Sequence, residues 1–209
     1  MKNTRYVIAL CFSLLLNVNI QAQTADTNPV NNPALRQELL KRVEQDQAVR
    51  NELIKRGIDR PDESILARMK TIDAANTERM RAIVGQYGWP GPELVGDGTE
   101  AAFLLVQHAE LAFQKEMLPL VEKAYKSGNL SGQSYALLID RVLVGEGKPQ
   151  IYGTQAKPVE EWKGGEPVLR PIVDEANVDK RRAEVGLFPL SEYRELLKKL
   201  YFPQEKTKQ

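Results

Sequence analysis

The chain has 209 residues, with 29 basic against 28 acidic side chains, one histidine and one cysteine. A chain so close to neutral offers no field to hold a phosphate backbone, which excludes nucleic acid as a partner. The lone cysteine, Cys11, falls inside the first apolar run, so the chain beyond that run has no disulfide, thiolate nucleophile or zinc-thiolate site.

Residues 1–22 read as a signal peptide. Lys2 and Arg5 form a basic n-region, "YVIALCFSLLL" is the apolar h-region, and Ile20 and Ala22 occupy the positions before a cut. The apolar run stops at Asn17, short of the roughly 20 residues a spanning helix needs. Export to the periplasm or beyond, with no stable membrane insertion after cleavage, is therefore the expectation. The cut removes two basic residues and no acidic ones, leaving 187 residues with 27 basic against 28 acidic groups. That length suits one domain around one core. Residues 23–33, "QTADTNPVNNP", read as a flexible leader, 34–203 as a single helical domain and 204–209 as a disordered tail.

Asn32 before Pro33 is a helix start, a capping side chain followed by proline in the first turn. Leu39, Val43, Leu53 and Ile54 then recur at helical spacing, with Asp46 and Arg50 on the same stripe one turn apart. An intrahelical salt bridge is the default account of that pair. A second helical stretch begins near Pro61–Asp62 with the stripe Ile65, Met69, Ile72, Met80, Ile83 and Tyr87. Asp73 and Asn76 interrupt it, either capping a break or facing inward. "YGWPGPELVGDG" reads as a loop. Residues 99–127 hold two helices or one bent one, and "AAFLLVQHAELAF" is apolar nearly all round, as a helix buried on most sides must be. "SGQSYALLIDRVLVGEG" is another, with Ser131 as N-cap and Gly145 and Gly147 at its end. "PQIYGTQ" and "PVLRPIV" flank a Gly- and Trp-containing turn and suggest a small two-stranded ribbon within residues 149–173. "VDKRRAEVG" and "SEYRELLKKLY" return to helix. The expected fold class is mainly α, a helical bundle carrying that ribbon.

Two features carry chemistry. Asp140 and Arg141 interrupt one aliphatic helix, and Gln107 and His108 interrupt another. A buried charge costs several kcal/mol unless paired, and neighbours at i and i+1 diverge by about 100° on a helix, so each needs a partner from elsewhere. The most economical arrangement brings the two polar dipeptides together. His108 then serves as general acid or base with Asp140 orienting its ring, or is a core histidine with both nitrogens satisfied. Around Gly153, "QIYGTQ" supplies Gln150, Tyr152 and Gln155, able either to fix a polar ligand or to satisfy buried helix groups. Arg182, with Arg181, can hold an anion or line a solvated helix face. Asp46, Asp73 and Asp140 could in principle build a carboxylate metal site, but their spacing gives it no support, and no metal or cofactor is expected. There is no G-x-G-x-x-G, no Walker loop and no G-x-S-x-G elbow, and a single histidine rules out H-E-x-x-H.

The blocks "GWP…VG", "LLVQHAELAFQ", "YALLIDRVLVGEGKPQIYGTQ" and "RRAEVGLFPL" resemble the signature blocks of an uncharacterised bacterial domain-of-unknown-function family. The resemblance runs from about Leu35 to Tyr201. It implies that Gln107, His108, Gln114, Asp140, Arg141, Gln150, Tyr152, Gly153, Gln155 and Arg182 belong to a common unit, and it implies no activity. Two functions follow as expectations. One is a pocket for a small polar or anionic ligand, with metal-independent acid–base chemistry at His108 and Asp140 and binding by Gln107, Arg141, Gln150, Tyr152, Gln155 and Arg182. The other is a cell-envelope interaction or scaffold protein, with the polar cluster purely structural and its protein partner unidentified. In that case partners would dock near Trp89 or Trp162.

Overall fold

In the computed structural model, residues 30–56 and 62–202 are described, Lys163 by its backbone alone. The expected signal peptide, the leader before Val30 and the expected tail at 204–209 lie outside the described residues. The described residues hold eight α-helices: α1 (Pro33–Arg56), α2 (Glu63–Tyr87), α3 (Pro92–Val95), α4 (Gly98–His108), α5 (Leu111–Lys126), α6 (Gly132–Gly145), α7 (Val178–Glu184) and α8 (Leu190–Tyr201). They fall into two compact units, the first ending at Leu130 and the second beginning at Ser131.

In the first unit, helix starts follow the capping chemistry of the sequence. Asn32 Oδ1 accepts the Leu35 amide at 3.0 Å, and Asp62 Oδ1 accepts the Ser64 amide at 2.9 Å, each meeting a donor that the first turn leaves open. The amides of Asn31 and Asn32 donate to the carbonyls of Glu93 and Leu94, so the end of the leader is tied down. α2 runs unbroken through Asp73 and Asn76. The segment read as a loop contains one helical turn, α3, opened by Pro92 and closed at Gly96 with φ 56°. α1, α2 and α4 pack on one another around Leu39, Leu53, Ile65, Met80, Ile83, Phe103 and Val106, all at most 1% exposed. Each such side chain contributes about 1.5–3 kcal/mol on burial. α4 is buried on nearly every side, as its composition requires. It ends at Ala109, where the chain turns into α5. There the Gln114 side-chain amide donates to the carbonyls of Gln107 (2.9 Å) and Ala109 (2.8 Å), satisfying groups that a helix end leaves unpaired.

In the second unit Ser131 caps α6 by accepting the Ser134 amide at 3.1 Å. α8 buries Leu190, Tyr193 and Leu197, spaced to lie on one face. The expected two-stranded ribbon is not formed: residues 149–173 hold no strand, only isolated bridges, parallel between Gln150 and Ile172 and antiparallel between Ala156 and Leu169. Bridges of opposite sense cannot belong to one ladder. Pro149, Pro158, Pro167 and Pro171 also remove the donors a ladder would use. Trp162 is buried, stacked edge-on against Tyr201 at 5.1 Å with its indole N–H on the Lys157 carbonyl at 2.9 Å, so it is no exposed anchor. Among the described residues no helix is long and apolar enough to cross a membrane.

Candidate functional site

The first unit gathers its buried polar groups where α1, α2 and α4 meet. His108, the last residue of α4, has Nδ1 2.7 Å from Asp46 Oδ2. The other oxygen of Asp46 accepts from Arg50 Nη1 at 2.6 Å, and Gln47 adds a donor to Oδ2 at 3.0 Å. Arg50 turns its second nitrogen to Asp73 on α2, reaching both oxygens at 2.8 and 2.9 Å. The Asp46 side chain is 0% exposed and that of His108 1%, while those of Arg50 and Asp73 are 11% and 20% exposed, so the chain of four side chains runs from the interior toward the surface. A carboxylate only accepts, which places the proton of the neutral imidazole on Nδ1 and makes Nε2 the basic nitrogen. Burial pushes the Asp73 carboxyl up, against the downward pull of Arg50.

Asp140 is not the carboxylate bonded to Nδ1. Its two oxygens take the amides of Ile151 (2.7 Å), Tyr152 (3.0 and 3.2 Å) and Thr154 (2.9 Å) and the Thr154 hydroxyl (3.0 Å). Burial pushes this carboxyl up, while those donors pull the other way. The reason lies in the loop. Gly153, at φ 72°, turns the chain so that three amides converge on one point, a concavity suited to an anion. Asp140 fills it.

The same loop uses most of the other predicted site residues as braces. Gln150, fully buried, donates to the carbonyls of Gln155 and Arg170 and accepts from the Gln155 amide. Arg182, 1% exposed, donates to the carbonyls of Tyr152 (2.7 Å) and Phe188 (2.6 Å), and its guanidinium lies 5.0 Å from the Tyr193 ring centre. Burial lowers its pKa. Arg181 holds the Ile151 carbonyl, Tyr193 the Thr154 carbonyl, and Gln155 donates to the Thr154 hydroxyl. The Tyr152 ring meets Tyr135 edge-on at 6.4 Å. Gln150 and Arg182 are thus committed to the backbone.

Two predicted residues keep buried side-chain atoms without a hydrogen-bond partner among the described residues. Gln107 is 0% exposed and neither atom of its amide is bonded. Arg141 has a buried Nε with no partner. Asp46, Arg50 and Asp73 are the residues that the sequence reading left out of the site. Their signal was present, since all three interrupt apolar stripes, but Asp46 and Arg50 also satisfy the spacing of an ordinary surface pair.

A family of unknown function (DUF6624) has a model matching residues 33–206. The chain belongs to that family. Its membership accords with the resemblance drawn from the sequence blocks, and the matched span includes residues of both units. No curated protein and no solved structure matches the chain.

Proposed function

We propose that this is an exported bacterial protein that binds a small polar ligand at the C-terminal end of α4 and moves a proton through His108 without a metal. The observation that carries this reading is the Asp46–His108 contact of 2.7 Å, its carboxylate held from the other side by Arg50, which Asp73 in turn accepts from. A carboxylate so fixed sets the ring's tautomer and orientation and stabilises the imidazolium that forms on protonation. Such general acid–base action is worth about 10²–10⁴-fold in rate. Asp46 takes the orienting role that the sequence suggested for Asp140. The basic n-region and apolar h-region of residues 1–22 support export.

The test is His108→Asn, whose amide nitrogen keeps a donor near the position of Nδ1 while Nε2 is lost. Binding of a panel of small amides, carboxylates and phosphate esters is followed by ligand-induced change in melting temperature. The variant is expected to keep its helix content, melt within a few degrees of the native chain and lose the ligand response. A second reading, the cell-envelope scaffold with a purely structural cluster, is favoured by one observation, the 1% exposure of the His108 side chain. Under it no compound in the panel shifts the native protein, and His108→Asn lowers the melting temperature by ten degrees or more.

A further inference from the structure

Among the described residues of the first unit, Asn76 Nδ2 and Trp89 Nε1 are single buried atoms without a partner, and Gln107 has both polar side-chain atoms in that condition. Its carbonyl is held by Gln114, so the backbone at the end of α4 is fixed, yet its completely buried side-chain amide has neither its donor nor its acceptor engaged. Native interiors leave few polar groups in this condition, and each such group calls for a specific explanation. An apolar side chain of equal size at this position would avoid the desolvation cost at no loss of packing. A residue of little use to the fold in this form, one position before the imidazole, is accounted for by a partner that is not part of the chain.

We infer that Gln107 is a ligand-recognition residue, and that its ligand carries a primary carboxamide or a ring lactam. The amide of Gln107 offers an N–H donor and a C=O acceptor side by side. Its complement is a group that presents an acceptor and a donor on the same edge. Primary amides and cis-locked ring lactams do so. A trans secondary amide, such as an ordinary peptide bond, points its N–H and C=O in opposite directions and satisfies only one half. A carboxylate has no donor at all. Charge selects in the same direction. The two carboxylates of Asp46 and Asp73 flank the one guanidinium of Arg50 beside His108, so the neighbouring cluster offers no unpaired arginine or lysine to attract an anion. A neutral ligand is what this site takes. The inference rests on the proposed function only for the claim that the bound group reaches His108.

The experiment uses the full chain, ¹⁵N-labelled, with the Gln107 side-chain NH₂ resonances assigned by their disappearance in Gln107→Met. Propionamide, 2-pyrrolidinone, N-methylpropionamide and propionate are titrated in turn. Propionamide and pyrrolidinone are expected to shift the Gln107 resonances saturably, with a Kd at least tenfold lower than the other two, and Gln107→Met is expected to abolish the response while melting at or above the native temperature. His108→Asn is expected to lose it too, as the proposed function requires. A response kept in full by His108→Asn and still abolished by Gln107→Met would overturn the proposed function and leave this inference standing. An equal response to all four probes, or none, overturns the inference. So does a bound water seen by magnetisation transfer to the Gln107 NH₂ that no probe displaces, or a fall of more than five degrees in the melting temperature of Gln107→Met.

Discussion

Asp46 and His108 stand 62 residues apart in the chain and 2.7 Å apart in the fold, with Arg50 on the other oxygen of the same carboxylate. One buried anion therefore serves two cationic or proton-bearing partners on two helices. Asp46→Ala leaves the imidazole without its acceptor and the Arg50 guanidinium with Asp73 alone, and loss of a buried hydrogen-bond partner costs about 1–3 kcal/mol. Asp46→Asn costs less, because its oxygen still accepts from Arg50. Its NH₂ then faces Nδ1, which can accept only if the ring proton moves to Nε2. Urea denaturation is expected to rank the two variants in that order. Imidazole ¹⁵N shifts are expected to show the tautomer exchanged in Asp46→Asn and unchanged in Gln47→Ala.

Arg141 and Arg182 separate a spare cation from a structural one. Arg182→Met leaves the buried carbonyls of Tyr152 and Phe188 without donors, at about 1–3 kcal/mol each. Arg141→Met removes a buried Nε that bonds to nothing and is expected to change stability by no more than about 0.5 kcal/mol. Equal losses in the two variants, measured by chemical denaturation, would show that Arg141 is also committed to the fold.

The loop around Asp140 depends on one backbone angle. A Cβ on Gly153 would stand 2.9 Å from Cδ1 of both Ile172 and Leu190, at φ 72°. Gly153→Ala therefore combines an unfavourable conformation with overpacking, together about 2–4 kcal/mol. The amides of Ile151, Tyr152 and Thr154 lose their common acceptor when the turn opens. Hydrogen exchange at these three positions is expected to accelerate in Gly153→Ala and in Asp140→Ala alike, while the α1–α4 amides stay protected.

The helices of this chain were legible because their signals are local. Asn32, Asp62 and Ser131 cap where their side chains can reach the next turn, and the near-uniform apolarity of α4 announces burial whatever it packs against. The partners of the buried charges were not legible in that way. Asp140 and His108 each required an acceptor or donor from elsewhere, but spacing along one helix does not choose among several. Asp46 won Nδ1 because α1 packs on α4, a fact of tertiary geometry. Asp140 was taken by backbone amides, which every residue carries and which leave no mark in a sequence. The ribbon failed for a related reason. Alternation in "QIYGTQ" suggested a strand, whereas the flanking prolines and the positive φ of Gly153 break the ladder.

Glu38 sets the acid limit of the first unit. Arg79 grips both its oxygens at 2.7 Å and Arg42 adds a donor at 2.9 Å, and the Arg79 hydrogen bonds foremost hold its carboxyl down at about 2. A carboxyl lowered on folding lends stability that is present in full above its unfolded value near 4.5 and lost as pH falls through about 2. The full interval corresponds to about 3 kcal/mol. With the side chain 31% exposed, solvent screening reduces this to about 1–2 kcal/mol. Asp73 and Asp140 act in the opposite sense. Burial raises them, so the folded chain keeps their protons longer than the unfolded one, and their contribution declines as pH rises through the range above 4. The difference between the native protein and Glu38→Gln isolates the first effect from the second. That difference in unfolding free energy is expected to be constant from pH 7 to 5, to shrink between pH 4.5 and 2, and to be smaller throughout in 0.5 M salt. A difference that persists unchanged to pH 2 would mean that the arginine grip does not depend on the Glu38 charge.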